Sequence, residues 1–556
     1  MEAGERSRLT DNAVQQVGMC LDEPAASIRS DGSVLAVAGR ALARRHSWLL
    51  IVFVLSFLFF SALKCFRRLW YDELFIYYVA KRPGLKGIWL ALTQGADNHP
   101  ILGYVLTQWS QTLLGDSPFS IRLPAMLGFL LMCISLYLFA EHRLPKIFAV
   151  AAMIFPALSA SGLYAVEARP YGPFFGFSAL ALVCWQRAAE GAKRQLNLGL
   201  LALALLGAIL CHVYSVVVLA WLILGEFVRT LKSKRIDWAI WSCLLIPALG
   251  TLSYLPLLRS TEIVQVIAGP EDRPTWFSPL YTYYLLLDPS LAAVLLALLL
   301  IFVITNNSTK DQPGMPKLLG LPQHELTVVA GLASFPIFAT VLSVLTTGIY
   351  WPRHGYVSII GLTILLVFFV ATYSRHHVAA GGLLAGSFLF FYIVAKTIWL
   401  IGAFHPWPKT AADNATHELA LSRGILPPMP RGLPIVISNG IEYLEFFHYA
   451  EPDIAPRLYF LTDRNAALKY NKFEVPDGIY SHMKQWAGLP MNVVPYAEFV
   501  AAHPHFLVYG AWASREDWTL RKLSEDGATL WVKGVYRSAR GDLRELLVEV
   551  NVNRGH

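Results

Sequence analysis

The sequence predicts an α-helical polytopic membrane protein that ends in a small soluble α/β domain. Four observations predict it. Of 556 residues, 55% are hydrophobic and only 15% are charged, where a soluble domain carries about 25% charged residues. Mean hydropathy is +0.47. The apolar residues are gathered into stretches long enough to cross a bilayer, which takes about 20 residues. Beyond residue 402 these stretches give way to short segments that alternate between strand and helix patterns.

Residues 1–46 are polar and end in Arg40, Arg44 and Arg45, so a disordered cytoplasmic tail is expected there. Spans are expected to begin near Ser47, Phe119, Ile147, Tyr171, Leu196, Val213, Trp238, Leu291, Leu326, Gly355 and Ala379, about eleven in all. Arg44/Arg45, His142/Arg143/Lys146, Arg187/Lys193/Arg194, Lys232/Lys234/Arg235, Lys310/Lys317 and Arg375 fall in alternate loops. The positive-inside rule makes those loops cytoplasmic, which accounts for the net charge of +8 without nucleic acid. The opposite loops hold Trp70–Pro118, Glu167–Arg169, His212, Leu257–Pro289, Tyr350–Arg353 and everything after Ile401. On this reading residues 47–401 form the membrane domain, in the plasma (inner) membrane, and residues 402–556 an extracytoplasmic α/β domain.

In the first long loop, Leu74–Tyr78 and Ile101–Leu106 carry apolar residues at helical spacing, which predicts helices lying along the interface. In the tail, strands are expected at Leu433–Ile437, Leu458–Leu461, Asn492–Pro495 and Phe506–Tyr509. Helices are expected over Glu442–Tyr449, Arg464–Tyr470, Ala497–Ala502 and Arg515–Leu523, with a closing hairpin of Thr529–Tyr536 and Leu543–Val550. Strands alternating with helices imply a mainly parallel sheet. No glycine-rich phosphate loop follows a strand there. The six cysteines show no metal-ligand spacing. Asn414-Ala415-Thr416 fits an N-glycosylation sequon.

Polar clusters fall on the side opposite the basic loops: Arg67, Arg68, Trp70, Asp72 and Glu73; Asp97-Asn98-His99-Pro100 with Tyr104; Arg122; Glu167, Arg169 and Tyr171; His212 and Tyr214; Tyr350, Arg353, His354 and Tyr356. Taken singly, each has an ordinary structural role. Asp72 and Glu73 suit the first turn of an interfacial helix, Arg169 suits a pair with Glu167, and His212 suits a buried, satisfied histidine. Tyr104, Tyr214 and Tyr356 suit the aromatic belt, and Arg353 a snorkelling anchor. Taken together they suit attack on a lipid-linked phosphodiester. Guanidinium groups match phosphate, fixed cations stabilise the charge that develops on a leaving phosphate, and a carboxylate can take the proton of an incoming hydroxyl.

The motifs resemble the GT-C glycosyltransferases that use polyprenyl-phosphate sugars, among them the protein O-mannosyltransferases and the lipid A aminoarabinose transferases (bacterial glycosyltransferase family 39-like). The resemblance covers roughly residues 47–400. Arg68-Leu69-Trp70-Tyr71-Asp72-Glu73 is similar to the family's acidic first-loop motif. Asp97-Asn98-His99-Pro100-Ile101-Leu102-Gly103-Tyr104 is similar to its D-x-H-P-P-L-Y-Y element, with Ile101 and Gly103 departing from it and expected to loosen local packing. Ser120–Pro124, Glu167–Tyr171, His212–Tyr214 and Pro352–Tyr356 resemble later elements. The resemblance implies an inverting transfer of a sugar from a polyprenyl-phosphate carrier to an acceptor hydroxyl of a protein, lipid or polysaccharide, in the cell envelope. Asp72 is then the base, and Glu73 helps to position the acceptor or tunes that base. Arg68, Asp97, His99, Tyr104, Glu167, Arg169, Tyr171, His212, Tyr214, Arg353 and Tyr356 are then the substrate-binding set. Some relatives hold a divalent metal, for which His99, Glu167 and His212 are candidates, but no essential cofactor or metal is expected. The alternatives are a lipid or sugar transporter or flippase without bond cleavage, and a non-catalytic scaffold. Transporters often show internal repeats and broken helices at the midplane, whereas this sequence shows no clear repeat and its charges cluster at one edge.

Overall fold

The computed structural model describes residues 34–260, 273–308, 320–346, 348–404, 432–471, 476–512, 517–537 and 544–552. The expected class is observed: a helical membrane body, short helices between its first two spans, and a C-terminal α/β domain. Cys20, Lys310, Lys317 and the Asn414 sequon lie outside the described residues, as does residue 1–33 of the tail. Residues 34–44 correct the expectation of disorder, because they form the helix Val34–Arg44. This helix lies backbone to backbone on the helix Val378–Phe404. A Cβ on Gly39 would stand 2.3 Å from the Ala379 carbonyl oxygen, and one on Gly382 would stand 2.0 Å from that of Gly39.

Each expected span start falls on a helix or within two residues of one. Among the described residues seven helical runs are long and apolar enough to cross a membrane: His46–Cys65, Pro118–Glu141, Arg194–Cys211, Trp238–Ser260, Ser278–Thr305, Pro352–Tyr373 and Val378–Gly402. An eighth is the pair Gln323–Ala333 and Phe335–Leu345, bent by 59° at Ser334, where Pro336 interrupts the backbone hydrogen-bond ladder. Lys146–Leu158 is shorter, and the helices Tyr171–Ala189 and Ser215–Ser233 complete the body.

Small residues also set a close crossing inside the body. Gly128 on Pro118–Glu141 meets Gly172 and Gly176 on Tyr171–Ala189. A Cβ at Gly128 would stand 2.4 Å from the Pro173 nitrogen, and one at Gly176 would stand 2.3 Å from the Gly128 carbonyl oxygen. Membrane helices gain little from the hydrophobic effect against one another, so contact of this kind carries their association. It also fixes the height of Arg122 relative to Arg169 and Tyr171, which lie at the same end of the two helices.

The loops sort to two ends of the body. At one end Arg143 bonds Glu325 (2.8 Å from Nε) and Glu190, while Arg194 and Arg229 share Asp237 at 2.6 and 3.0 Å. These belong to loops that the charge pattern assigns to one side. The other end gathers the loops 66–117, 166–170, 212–214 and 350–356. Between the first two spans, the expected interfacial stretches are the helices Tyr71–Ala80 and Leu102–Leu114. A third, Gly84–Thr93, has no expected counterpart.

The tail domain is a six-stranded sheet of order β3-β2-β1-β4-β6-β5. Its strands are β1 Ile435–Ile437, β2 Leu458–Thr462, β3 Asn492–Pro495, β4 His505–Gly510, β5 Thr529–Arg537 and β6 Arg544–Asn551. The first four run parallel, and β6 pairs antiparallel with β4 and with β5. The expected strands and closing hairpin are all present. A helix at Pro476–Ala487 is additional, and the helix expected from Arg515 is Thr519–Glu525. The helix Gly440–Tyr449 faces Tyr71–Ala80. Across that seam the Tyr78 hydroxyl meets His448 Nδ1 at 2.8 Å, and Arg82 donates to the Ala487 carbonyl at 3.0 Å.

Two outcomes follow from this packing. Gly176→Val places a side chain against backbone atoms that cannot retreat, and overpacking costs about 1–3 kcal/mol or more. We expect a clear drop in thermal unfolding temperature in detergent, against little change for Gly199→Ala, whose Cβ would meet nothing within 4 Å. Burial lowers the pKa of His448 to about 4, with Arg68 reinforcing and Asp116 opposing. An unfolded histidine titrates near about 6.5, so the unfolded chain binds more protons between the two values. Stability from this seam is therefore full above about 6.5 and falls as pH drops toward 4. Unfolding followed against pH should show that slope in the native protein and lose it in His448→Phe.

Candidate active site

The site is built around the N-terminal turn of the helix Tyr71–Ala80. Trp70 is extended and caps the helix, which places Tyr71, Asp72 and Glu73 in its first turn. Successive helical residues point about 100° apart, so the two neighbouring acids face different surroundings.

Glu73 faces inward and is fully buried. Its Oε1 accepts from Arg122 Nε at 2.7 Å and from the Ala168 backbone N–H at 2.7 Å. Its Oε2 accepts from Arg122 Nη2 at 2.5 Å and from the Trp70 N–H at 3.3 Å. Arg122, also fully buried, donates its remaining protons to the carbonyls of Cys65 (2.8 Å), Arg67 (2.6 Å) and Arg68 (2.8 Å). All five donors of the guanidinium and all four acceptor positions of the carboxylate are thereby used. Burial alone would raise the pKa of Glu73, but the Arg122 charge and hydrogen bonds, with Arg67 and the Ala168 N–H, hold it below the usual carboxylate range. The expectation that Glu73 positions an acceptor is thus corrected: it has no lone pair left to offer. Its partner Arg122 was visible in the sequence as a polar residue at the start of a span, with no sign that it pairs with Glu73.

Asp72 faces the other way. Its Oδ2 lies 2.6 Å from Arg169 Nη1 and 3.8 Å from Arg353 Nη1. Arg353 also stacks on Trp351, 4.2 Å from the ring centre. Three residues from separate parts of the sequence therefore meet at one point, with Arg169 buried and Asp72 and Arg353 partly exposed.

Beside them Asp97 accepts from His99 Nδ1 at 2.9 Å. Burial would raise the Asp97 pKa, but His99 and Arg169 hold it well below the usual range. The His99 ring lies 5.2 Å from that of His212 and 5.9 Å from that of Tyr171. His212 stacks on Phe174 and receives the Tyr214 backbone N–H on Nδ1 at 3.2 Å. Its Nε2 then carries the ring proton, and it is buried without a hydrogen-bond partner. Glu167 is half-buried nearby. Burial pushes its pKa up to about 7, with Arg67 and Arg169 opposing and Glu73 and Asp72 reinforcing.

Other expected site residues turn elsewhere. The Tyr214 hydroxyl bonds Ser343. Arg68 lies over the Tyr449 ring of the tail domain, 4.7 Å from its centre. Tyr104 is fully buried behind Asp97, and Tyr356 packs against Tyr164, 5.9 Å between ring centres. Gly103 tightens the packing it was expected to loosen: a Cβ there would stand 3.0 Å from Pro170, so its bareness lets the helix Leu102–Leu114 close on the loop that holds Arg169. Among the described residues no group of three His, Cys, Asp or Glu side chains is arranged to hold a metal ion. His99, Glu167 and His212 form no such group.

Residues 98–254 match the model of the family described as dolichyl-phosphate-mannose-protein mannosyltransferase. Over these residues the match agrees with the resemblance to the protein O-mannosyltransferases. The match contains His99, Arg122, Glu167, Arg169 and His212, whereas Asp72 and Arg353 lie outside it. Among solved structures, ArnT from Cupriavidus metallidurans is similar in its apo form and bound to undecaprenyl phosphate. Each is 14% identical over 91% of this chain and 98% of that one, with a TM-score of 0.49. An oligosaccharyltransferase from Archaeoglobus fulgidus, tethered to an acceptor peptide, is 12% identical over 89% of this chain and 73% of its own, with a TM-score of 0.36. No curated protein sequence matches.

The buried pair makes a direct prediction. Removing one partner of a buried ion pair costs about 3–5 kcal/mol because the other is left charged and unpaired. Glu73→Ala and Arg122→Ala should each lower the unfolding temperature strongly, and Glu73→Leu combined with Arg122→Met should recover part of the loss. Thermal unfolding of the purified variants measures both.

Proposed function

We propose that the chain is an inverting glycosyltransferase that moves a sugar from a polyprenyl-phosphate carrier to an acceptor hydroxyl. The observation that carries this reading is the meeting of Asp72 with Arg169 and Arg353, beside a segment that matches a mannosyltransferase family. The undecaprenyl phosphate bound by the Cupriavidus metallidurans protein is an example of the carrier class.

Before substrate enters, the two guanidinium groups hold the Asp72 carboxylate. A donor phosphate competes with that carboxylate for them, and arginine offers the fork that phosphate oxygens fit. Once Arg169 and Arg353 turn to the phosphate, Asp72 is free to accept a proton. The acceptor oxygen bonds the anomeric carbon as its proton passes to Asp72. The bond from that carbon to the phosphate oxygen breaks, and its electron pair leaves with the carrier phosphate. Attack and departure on opposite faces invert the centre. The charge growing on the phosphate is met by the two fixed cations. Phosphate leaves without a proton, so one carboxylate is sufficient.

On the charge pattern the site opens away from the cytoplasm, with the tail domain on the same side. The sugar class is read from products: mass spectrometry of the glycans or glycolipids lost on deletion of the gene identifies it.

Asp72→Asn tests the base directly. Removing a general base costs about 10²–10⁴ in rate, so membranes carrying the variant should release carrier phosphate from labelled polyprenyl-phosphate sugar at least about 100-fold more slowly. Normal turnover by a folded Asp72→Asn protein removes Asp72 from this role.

A further inference from the structure

The turn that carries Asp72 is held from a second direction. The first N–H groups of a helix have no partner within it and must find one outside. Here the Tyr71 N–H donates to Glu445 Oε1 at 2.9 Å, and the Leu69 N–H donates to the Tyr449 hydroxyl oxygen at 2.7 Å. That hydroxyl donates in turn to the Leu69 carbonyl at 3.3 Å, so one phenol occupies both backbone groups of Leu69. Both side chains belong to the helix Gly440–Tyr449, more than 370 residues away in sequence. A carboxylate at a helix N-terminus is also favoured by the helix dipole. Asp72 directly follows Tyr71.

We propose that Glu445 and Tyr449 are positioning residues: the α/β domain fixes the backbone turn that aims Asp72 at Arg169 and Arg353. The membrane body holds this turn through Glu73 and Arg122, and the tail domain holds it through Glu445 and Tyr449. Neither of the two tail residues touches the reacting atoms. The domain is thereby part of the machinery whatever else it binds. The effect expected on turnover rests on the glycosyl-transfer reading above; the positioning itself does not.

The test uses full-length protein in lipid nanodiscs and three variants, Glu445→Ala, Tyr449→Phe and the conservative Glu445→Gln, which keeps an acceptor oxygen. Hydrogen exchange is read on peptides covering residues 67–80 and on peptides of β1, β2 and β4. Carbodiimide labelling of Asp72 is read by mass spectrometry. We expect Glu445→Ala and Tyr449→Phe to speed exchange in 67–80 by about fivefold, the effect of one lost hydrogen bond. Asp72 should label faster, the strands should exchange as in the native protein, and Glu445→Gln should restore most of the protection. Native exchange and labelling in both disruptive variants would overturn the inference. So would exchange that rises equally across the strands, because that is loss of the domain rather than of the turn. Turnover with a polyprenyl-phosphate sugar is read in parallel, and misplacement of the base predicts a fall in kcat of about tenfold to a hundredfold with KM little changed. Local loosening in a protein whose native form transfers no sugar leaves the positioning standing and removes the glycosyl-transfer reading. Active native protein with loosened variants of unchanged kcat overturns the part of the inference that concerns Asp72.

Discussion

The buried pair of Glu73 and Arg122 is the constraint on which the rest of the site depends. One guanidinium ties three consecutive stretches together: the end of the first span at Cys65, the turn at Arg67 and Arg68, and the first turn of the helix that follows. Glu73 extends the tie to the loop before the helix Tyr171–Ala189 by accepting from Ala168. Two charges removed from water lose several kcal/mol each, and only full hydrogen bonding returns that cost. Satisfaction of every donor and acceptor leaves this cluster a single arrangement. Asp72 and Arg169, each one residue from an atom of the cluster, inherit their positions from it.

The division of labour between two neighbouring acids is therefore geometric. Residue 73 turns into protein and pairs with Arg122, and residue 72 turns toward Arg169 and Arg353. An ion pair that a substrate phosphate can break is a useful ground state. It balances one of the two arginine charges, and on the proposed reading a donor phosphate takes over the arginines and frees the carboxylate.

Much of this was legible in the sequence, for physical reasons. Spans, interfacial helices and the strands of the tail are written in local periodicity, and Arg464–Tyr470 and Asn492–Pro495 fall where the pattern places them. Asp72, Arg169 and Arg353 could be grouped because charge at membrane depth is costly and because alternate loops share a side. What the pattern could not carry was direction. Glu73 looked like Asp72 because adjacency in sequence does not say which way a helical side chain points. Tyr214 and Arg68 were placed in the cleft by motif, but Ser343 and Tyr449 hold them elsewhere. Glu445 and Tyr449 carried no signal, since their partners are backbone groups in a distant segment. Gly103 was read as a gap, and only the proximity of Pro170 reveals it as a close fit. The helix Val34–Arg44 was hidden by its arginines, because its packing depends on Gly39 meeting a partner more than 300 residues on.

The central claim is that Asp72, Arg169 and Arg353 form one anion-exchanging site. A structure of the protein with bound polyprenyl phosphate tests it most directly. The account predicts the phosphorus atom between the Arg169 and Arg353 guanidinium groups, with the Asp72 carboxylate released from Arg169 and facing the cleft. A phosphate bound away from both arginines, with the Asp72–Arg169 pair intact, would contradict it.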